Sequence, residues 1–264
     1  MNQDLKNERK PLILITNDDG IRAKGLKALA KVAREFGRVV VMAPQESRSG
    51  MSHAITSEHP LRVYEQKSEP GYREYACTGT PVDCVKLALN RLLEEKPDLV
   101  LSGVNHGSNA SISVFYSGTM AAAIEGCINK IPSVGFSLLD YDQEADFTVA
   151  EKYVRILIDQ VMKNGLPEGI CLNVNIPALP EDSVKGVKIC RQTDGMWQEE
   201  FVRRTDPFER DYYWLTGFFR NFESEAEDTD EWALQHGYVS VVPVKTDLTD
   251  YDLINTLKQW DYEN

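Results

Sequence analysis

The chain has 264 residues, which at roughly 150 residues per domain means one large domain or one domain with an appendage. Apolar residues make up 42%, with 17 Gly and 12 Pro, and this excludes a disordered, collagenous or low-complexity chain. Lys and Arg number 29 against 41 Asp and Glu, a formal charge of −12. That argues against broad nucleic-acid or anionic-membrane binding, which needs an excess of cations, but leaves room for a local anion site.

The first eleven residues, MNQDLKNERKP, are polar, and the apolar run Leu12–Ile15 is too short for a signal-peptide core. No stretch reaches the 18 or so apolar residues of a membrane span. The five cysteines, Cys77, Cys84, Cys127, Cys171 and Cys190, are odd in number and contain no CxxC. They form neither a disulfide framework nor a zinc pattern. The expectation is a soluble, cytoplasmic protein with reduced thiols.

Leu12–Thr16 (LILIT) is a continuous apolar run, as in a strand covered on both faces. Lys24–Phe36 reads as a helix, with Leu26, Leu29, Ala30, Ala33 and Phe36 on one face and Gly37 as its stop. Val39–Ala43 is a second buried strand. Leu61–Tyr64 and Tyr72–Tyr75 pair as a hairpin that interrupts the alternation. Val82–Leu93 reads as a helix, Asp98–Ser102 as a strand, Gly118–Asn129 as a small-residue helix and Ile131–Leu138 as a strand. A longer helix follows over Thr148–Lys163, closed by Gly165, and then strands at Ile170–Ile176 and Val184–Cys190. Strands alternating with helices predict an α/β fold with a doubly wound, mostly parallel sheet.

Residues 191–231 break the pattern. Trp197, Phe201, Tyr212, Tyr213, Trp214, Phe218 and Phe219 lie among charges with no helical period, on either side of the turn Asp206-Pro207. Such a segment is costly to expose, so it reads as an arm for subunit contact; a hairpin folded on its own domain is the plainer alternative. Glu223–Glu231 reads as a solvated turn and helix start, and Tyr238–Val244 as a strand. Tyr251–Trp260 is a last helix whose Leu253, Ile254, Leu257 and Trp260 would dock on an apolar surface. The resulting division is 11–140 as core with the site, 141–190 as its continuation, 191–231 as the arm and 232–264 as final strand and helix.

Ligands of open α/β sheets bind beyond the carboxyl ends of the strands. Three unusual loops leave such ends: Asn17-Asp18-Asp19-Gly20, Pro44–Gly50 and Gly103–Asn109. Adjacent carboxylates at Asp18 and Asp19 repel unless a cation or proton compensates them. The plain alternative is that one caps the next helix while the other faces water. Their oxygens, with hydroxyls and amides nearby, suit a hard cation such as Mg²⁺, Mn²⁺ or Ca²⁺ rather than zinc. Thr78-Gly79-Thr80-Pro81 and Ser117-Gly118-Thr119 each open a helix with hydroxyls and free N–H groups, which attract phosphate; ordinary capping explains either one alone.

Competing motifs fail on spacing. No GxGxxG follows a strand, and Gly20–Gly25 has P-loop spacing but continues with Leu26-Lys27. No GxSxG elbow occurs. His53, His59, His106 and His236 have no metal-ligand spacing, although His106 lies in the third loop, either at substrate or simply exposed.

At these residues the chain resembles the SurE family of survival proteins, metal-dependent nucleoside monophosphate phosphatases. The resemblance rests on ILITNDDGIRAKGL, APQESRSGMSHAIT, TGTPVDCV and SGVNHGSNASISVFYSGTMAAAIEG, and further on DPFERDYYWLTG and DTDEWALQHGYVSVVPVKTDLT, covering residues 11–250. It implies a Rossmann-like core followed by a smaller oligomerisation region with an extended hairpin and terminal helix. It also implies one divalent cation per subunit, Mg²⁺ or Mn²⁺, held by Asp18, Asp19, Ser49 and Asn105. Phosphate contacts would fall on Asn109, Ser117, Gly118 and Thr119. Phe208-Glu209 stands where many relatives carry Arg-Gly, a departure at the arm's turn.

The implied activity is hydrolysis of nucleoside 5′-monophosphates to nucleoside and phosphate, with 3′-monophosphates and short polyphosphate as further substrates. Asp18 or Asp19 would take the proton of the attacking water. A covalent aspartyl-phosphate is the rival route, but the residue two after Asp18 is Gly20, not a second acid. The implied partners are the nucleotide and further copies of the chain, as homodimer or homotetramer. A non-catalytic nucleotide sensor and a nucleotide-sugar transferase are the other classes considered; the second lacks any sugar-nucleotide motif.

Overall fold

The computed structural model describes residues 9–262; residues 1–8, most of the polar start, and 263–264, the end of the last predicted region, lie outside the described residues. In chain order the core contains β1 (Leu12–Thr16), α1 (Lys24–Ala33), β2 (Arg38–Pro44), β3 (Val63–Glu69), β4 (Tyr72–Cys77), α2 (Pro81–Leu87), β5 (Leu99–His106), α3 (Gly118–Ile128) and β6 (Ser133–Leu138). It continues with α4 (Thr148–Asn164), β7 (Ile170–Ile176) and β8 (Val187–Ile189). Then come β9 (Gly195–Thr205), β10 (Asp211–Asn221), α5 (Asp230–Gln235), β11 (Val239–Lys245) and α6 (Tyr251–Leu257).

Nine strands form one sheet in the order β3-β4-β2-β1-β5-β6-β7-β11-β8. From β4 to β7 all neighbours are parallel, whereas β3 and β11 pair antiparallel at either side. Alternation along β1 explains why both faces are covered. Ile13 and Ile15 pack with Leu29 and Val32 of α1 and Val154 and Ile158 of α4. Leu12 and Leu14 pack on the opposite face with Cys84 and Val85 of α2 and Ala122 of α3. The fold is the α/β class expected, with helices on both sides of a mostly parallel sheet.

Several boundaries differ from the sequence reading for local reasons. The first helix stops at Ala33, because Glu35 and Phe36 close tighter turns onto the carbonyls of Val32 and Ala33. The helix from Pro81 widens over Ala88–Leu92 into a π turn, which keeps Leu89, Leu92 and Leu93 against the second core cluster. The strand expected to end at Ser102 runs on to His106 through a bulge: Ser102 pairs with Gly135 and Asn105 with Ser137, one residue more on β5 than on β6. A side chain at Gly103 would stand 2.3 Å from the Phe136 carbonyl oxygen, so glycine is required there.

The aromatic segment is a two-stranded antiparallel hairpin, separate from the main sheet, in which Trp214 faces Val202 and Phe219 faces Trp197. Its turn is closed by Asp206, which accepts from the backbone of Phe208 and Arg210. Phe201, Tyr213, Trp214 and Phe218 are all exposed. β11, from the last predicted region, inserts into the main sheet between β7 and β8. The apolar residues of α6 are not buried, so the docking expected of that helix does not occur within one chain. Among the described residues no helix is long and apolar enough to cross a membrane.

Candidate active site

The chain leaves β1 toward β2 on one side, and β5 lies on the other side of β1. The carboxyl ends of β1 and β5 therefore flank the switch point of the sheet, where α/β folds bind ligands. Asn17 builds the first loop: its amide donates to the Gly20 carbonyl at 3.1 Å and accepts from the Gly20 N–H at 3.2 Å. This closed turn directs Asp18 inward, where it is 3% exposed, and leaves Asp19 half-buried. Neither caps α1, whose N-cap is Ala23 with no side-chain bond. The plain reading of the acidic pair therefore fails.

Asp18 meets the start of α3. The Thr119 hydroxyl donates to Asp18 Oδ1, and the Thr119 backbone N–H also favours the charged form. A Cβ on Gly118 would stand 2.8 Å from the Asp18 Cβ and 2.9 Å from Oδ2, so only glycine lets helix and carboxylate come this close. Burial outweighs these bonds and pushes the Asp18 carboxyl up to about 6, with the like charge of Asp19 acting in the same direction. Burial also raises Asp19, opposed by the His106 backbone N–H that donates to its Oδ2 at 3.4 Å.

The second loop is stitched to the first, since the Arg48 N–H donates to the Asp18 carbonyl at 2.7 Å. Farther along, Ser52 Oγ donates to the Phe115 carbonyl at 2.5 Å, and His53 Nε2 lies 3.1 Å from Glu125 Oε2. These anchors hold Ser49, which is exposed beside Ser47 with their hydroxyls 3.0 Å apart. In the third segment, Asn105 Nδ2 donates to the carbonyls of His106 at 2.9 Å and Gly107 at 3.0 Å. Its Oδ1 is thereby turned away from both.

Asp18, Ser49, Asn105, Asn109 and Ser117 line one cleft of about 600 Å³. Asn109 is locked by a buried network that sequence reading missed. Its N–H donates to Asn175 Oδ1 at 2.8 Å, its Nδ2 to Ser137 Oγ at 2.7 Å, and its carbonyl accepts from Asn173 at 2.8 Å. Asn173 and Asn175 sit two apart in the otherwise apolar strand ICLNVNI, and that pair of same-side amides was the available clue. Ser117 caps α3 by accepting from Met120 at 2.9 Å. Thr119, expected at the phosphate, is fully buried and directs its hydroxyl to Asp18 instead. His106 lines the cleft with its ring edge-on to Phe147, centroids 5.2 Å apart.

The other expected phosphate cradle is closed. Thr80 caps α2, accepting from the Asp83 N–H at 3.1 Å and donating to the Ala54 carbonyl at 2.7 Å, while its own N–H goes to Asp83 Oδ2. A buried acid already occupies that helix start, so TGTP is a capping box rather than an anion site.

The donor set around Asp18 fits a hard divalent cation. Asp18 and Asp19 are adjacent carboxylates with raised pKa, and Asp18 shares the cleft with the Asn105 amide and the Ser49 hydroxyl. Asp19 is not among the lining residues and is tied to the site through the His106 N–H; the side chains offer oxygen donors. Among the described residues no cluster of three or more His, Cys, Asp or Glu offers a competing site.

Residues 13–199 match the family model described as Survival protein SurE. A Phocaeicola vulgatus protein named 5′-nucleotidase SurE is 52% identical over 256 residues, covering 97% of this chain and 99% of its own. The Flavobacterium psychrophilum protein of the same name is 54% identical, covering 96% of this chain and 98% of its own. The crystal structure of the SurE protein from Aquifex aeolicus superposes with a TM-score of 0.81 at 39% identity, covering 94% of this chain and 98% of that one. On fold, sequence and length alike, the chain belongs to the SurE family.

Proposed function

We propose that this chain is a phosphomonoesterase that hydrolyses nucleoside 5′-monophosphates to nucleoside and phosphate. One divalent cation, Mg²⁺ or Mn²⁺, would be held by Asp18, Asp19, Ser49 and Asn105. The observation that carries the reading is the buried Asp18 carboxyl, raised to about 6 beside a second acid, in the lining of a cleft that also carries amide and hydroxyl side chains. The names of the relatives from Phocaeicola vulgatus and Flavobacterium psychrophilum support the substrate class. When bound, the cation neutralises phosphate charge and lowers the pKa of water.

The chain's own residues do the rest. The start of α3 brings Ser117 to the cleft, where its hydroxyl can donate to an equatorial oxygen of a phosphoryl group. The N–H groups of Ser117, Thr119 and Met120 go to the Ser113 carbonyl, to Asp18 and to Ser117 Oγ. Asn109 has a second amide hydrogen beyond the one given to Ser137, and its network fixes where that hydrogen points. Asp19 is less buried than Asp18 and its carboxyl is raised, so it is the better placed to accept the proton of the attacking water. Asp18 is instead held by Thr119. Nucleoside 3′-monophosphates and short polyphosphate present the same terminal phosphoryl group and belong to the same substrate panel.

We further infer a homodimer or homotetramer built through the arm, because Phe201, Tyr213, Trp214 and Phe218 leave an apolar surface on a bare two-stranded ribbon. Light scattering behind size exclusion checks this: Trp214→Glu should shift the mass toward monomer, and a monomeric wild-type chain would refute it. The activity is tested by phosphate release from AMP and GMP with Mn²⁺ or Mg²⁺, then with chelator added. Release that needs the cation and vanishes in Asp19→Ala is the expected result. Full activity in chelator, or in Asp19→Ala, would overturn the metal site.

A further inference from the structure

One wall of the cleft plays no part in the chemistry above. Facing the polar rim are Trp197, Leu215 and Gly217, from the two strands of the arm. A phosphoryl group gains nothing from an indole and a leucine, whereas a flat, weakly polar ring gains from both.

The indole is held in place. Trp197 Nε1 donates to Ser113 Oγ at 3.1 Å, and Phe219 packs edge-on to it with centroids 6.0 Å apart. Trp197 nonetheless stays 36% exposed, so part of the ring remains open for a ligand. Ser113 is joined to the cap of α3, since the Ser117 N–H donates to the Ser113 carbonyl at 3.1 Å. One short segment thus connects the aromatic wall to the phosphate end of the cleft.

The root of the arm is fixed to the same segment. Asp230, 1% exposed, accepts from the Ser111 N–H at 2.8 Å, the Thr193 N–H at 3.0 Å and the Thr193 hydroxyl at 2.6 Å. Ser111 lies two residues before Ser113, and Thr193 lies four before Trp197. A buried carboxylate with that many donors sets the spacing between wall and rim before any ligand arrives.

We propose that Trp197 is the specificity-determining residue for the nucleoside: its indole stacks on the base of the nucleotide whose phosphate sits at α3. A two-ring purine overlaps the indole more than a single-ring pyrimidine does, so purine monophosphates are the preferred substrates. This rests on the nucleotidase reading for its kinetics but not for its binding test. Stacking a base on an aromatic side chain is worth a factor of about 5 to 150 in affinity.

The experiment compares AMP, CMP and ribose 5-phosphate as substrates for the wild type, Trp197→Leu and Trp197→Phe. Leu keeps apolar bulk without a π face, and Phe keeps the face without the N–H. In Trp197→Leu the KM for AMP rises about tenfold and the preference over CMP disappears. Ribose 5-phosphate turnover is unchanged, which also shows that the variant is folded. Trp197→Phe retains most of the preference. Equal losses on AMP and ribose 5-phosphate, or an unchanged AMP to CMP ratio, would overturn the assignment. Calorimetry with adenosine reads the wall independently of turnover. If the wild type cleaves none of the three esters, the nucleotidase reading fails, and the wall still stands or falls by whether Trp197→Leu weakens adenosine binding.

Discussion

Thr119→Val isolates the contact on which the acidic pair depends. The site is fully buried and valine keeps its branching and nearly its volume, so the main change is loss of the hydroxyl that donates to Asp18. A hydrogen bond to a charged group is worth about 1.5–3 kcal/mol, and about 1.36 kcal/mol corresponds to one pH unit. The variant should therefore carry the Asp18 midpoint upward from about 6 by about one to two pH units. The sign for stability follows from the same quantity. In chelated protein the folded state holds the Asp18 proton more tightly than the unfolded chain, whose carboxyl titrates near 3.8. Stability from this group is thus complete below 3.8 and is lost as pH climbs to about 6, by about 3 kcal/mol in the wild type and more in Thr119→Val. Calorimetric titration with Mn²⁺ from pH 5 to 8.5, beside kcat/KM for AMP, reads the midpoint. An unchanged midpoint in both would refute the claim that Thr119 keeps Asp18 ionised.

Three other perturbations probe the same arrangement. Asp18→Asn removes the buried charge while keeping the shape, so chelated protein at pH 8 should melt higher, by at most about 3 kcal/mol of stability, while Mn²⁺ binding is lost; a lower melting temperature would contradict the burial argument. Gly118→Ala places a methyl 2.8 Å from the Asp18 Cβ. Overpacking costs about 1–3 kcal/mol and the glycine replacement returns about 0.4–1. The expected outcome in thermal melts and AMP assays is a modest loss of stability with at least a tenfold loss of kcat/KM. Phe136→Ala, at the largest fully buried side chain, should cost about 3–5 kcal/mol in urea unfolding without altering the pH midpoint of metal binding in the fraction that remains folded.

What the sequence made legible follows from how local its physical cause is. LILIT had to be a two-faced strand because nothing polar interrupts it, and the structure places its bounds at the same residues. Asp18 and Asp19 stood out because like charges directly after a buried strand need an explanation, and Asn105 because it follows a second such strand. Ser49 is different: only the family resemblance singled it out, since a serine in a polar loop has no local signature. The bulge that carries Asn105 to the rim depends on β6, thirty residues away, and could not be read from β5 alone. Thr80 and Ser117 looked alike as helix openers. The difference lies in which neighbour arrives: Asp83 closes the first from within its own helix, whereas Asp18, a hundred residues upstream, meets the second. The Asn109 and Asp230 networks are likewise assembled from distant strands and turns.

These long-range meetings converge on one energetic point. Asp18 is unfavourable where it sits: burial and Asp19 oppose its charge, while the Thr119 hydroxyl, the Thr119 N–H at the helix start and the Asp18 backbone favour it. The unfavourable terms exceed the favourable ones, so the carboxyl holds a proton more tightly than a free one, and no lysine or arginine is among the causes acting on it. On the proposed metal site, the stability that chelated protein would lose as pH climbs to about 6 and the affinity for a divalent cation would be one free energy seen from two sides. A design that relieved Asp18 with an internal cation would gain stability and lose the driving force for metal binding. The close approach that Gly118 permits sets the balance: near enough for Thr119 to keep Asp18 ionised around neutral pH, and buried enough that ionisation alone leaves it unsatisfied.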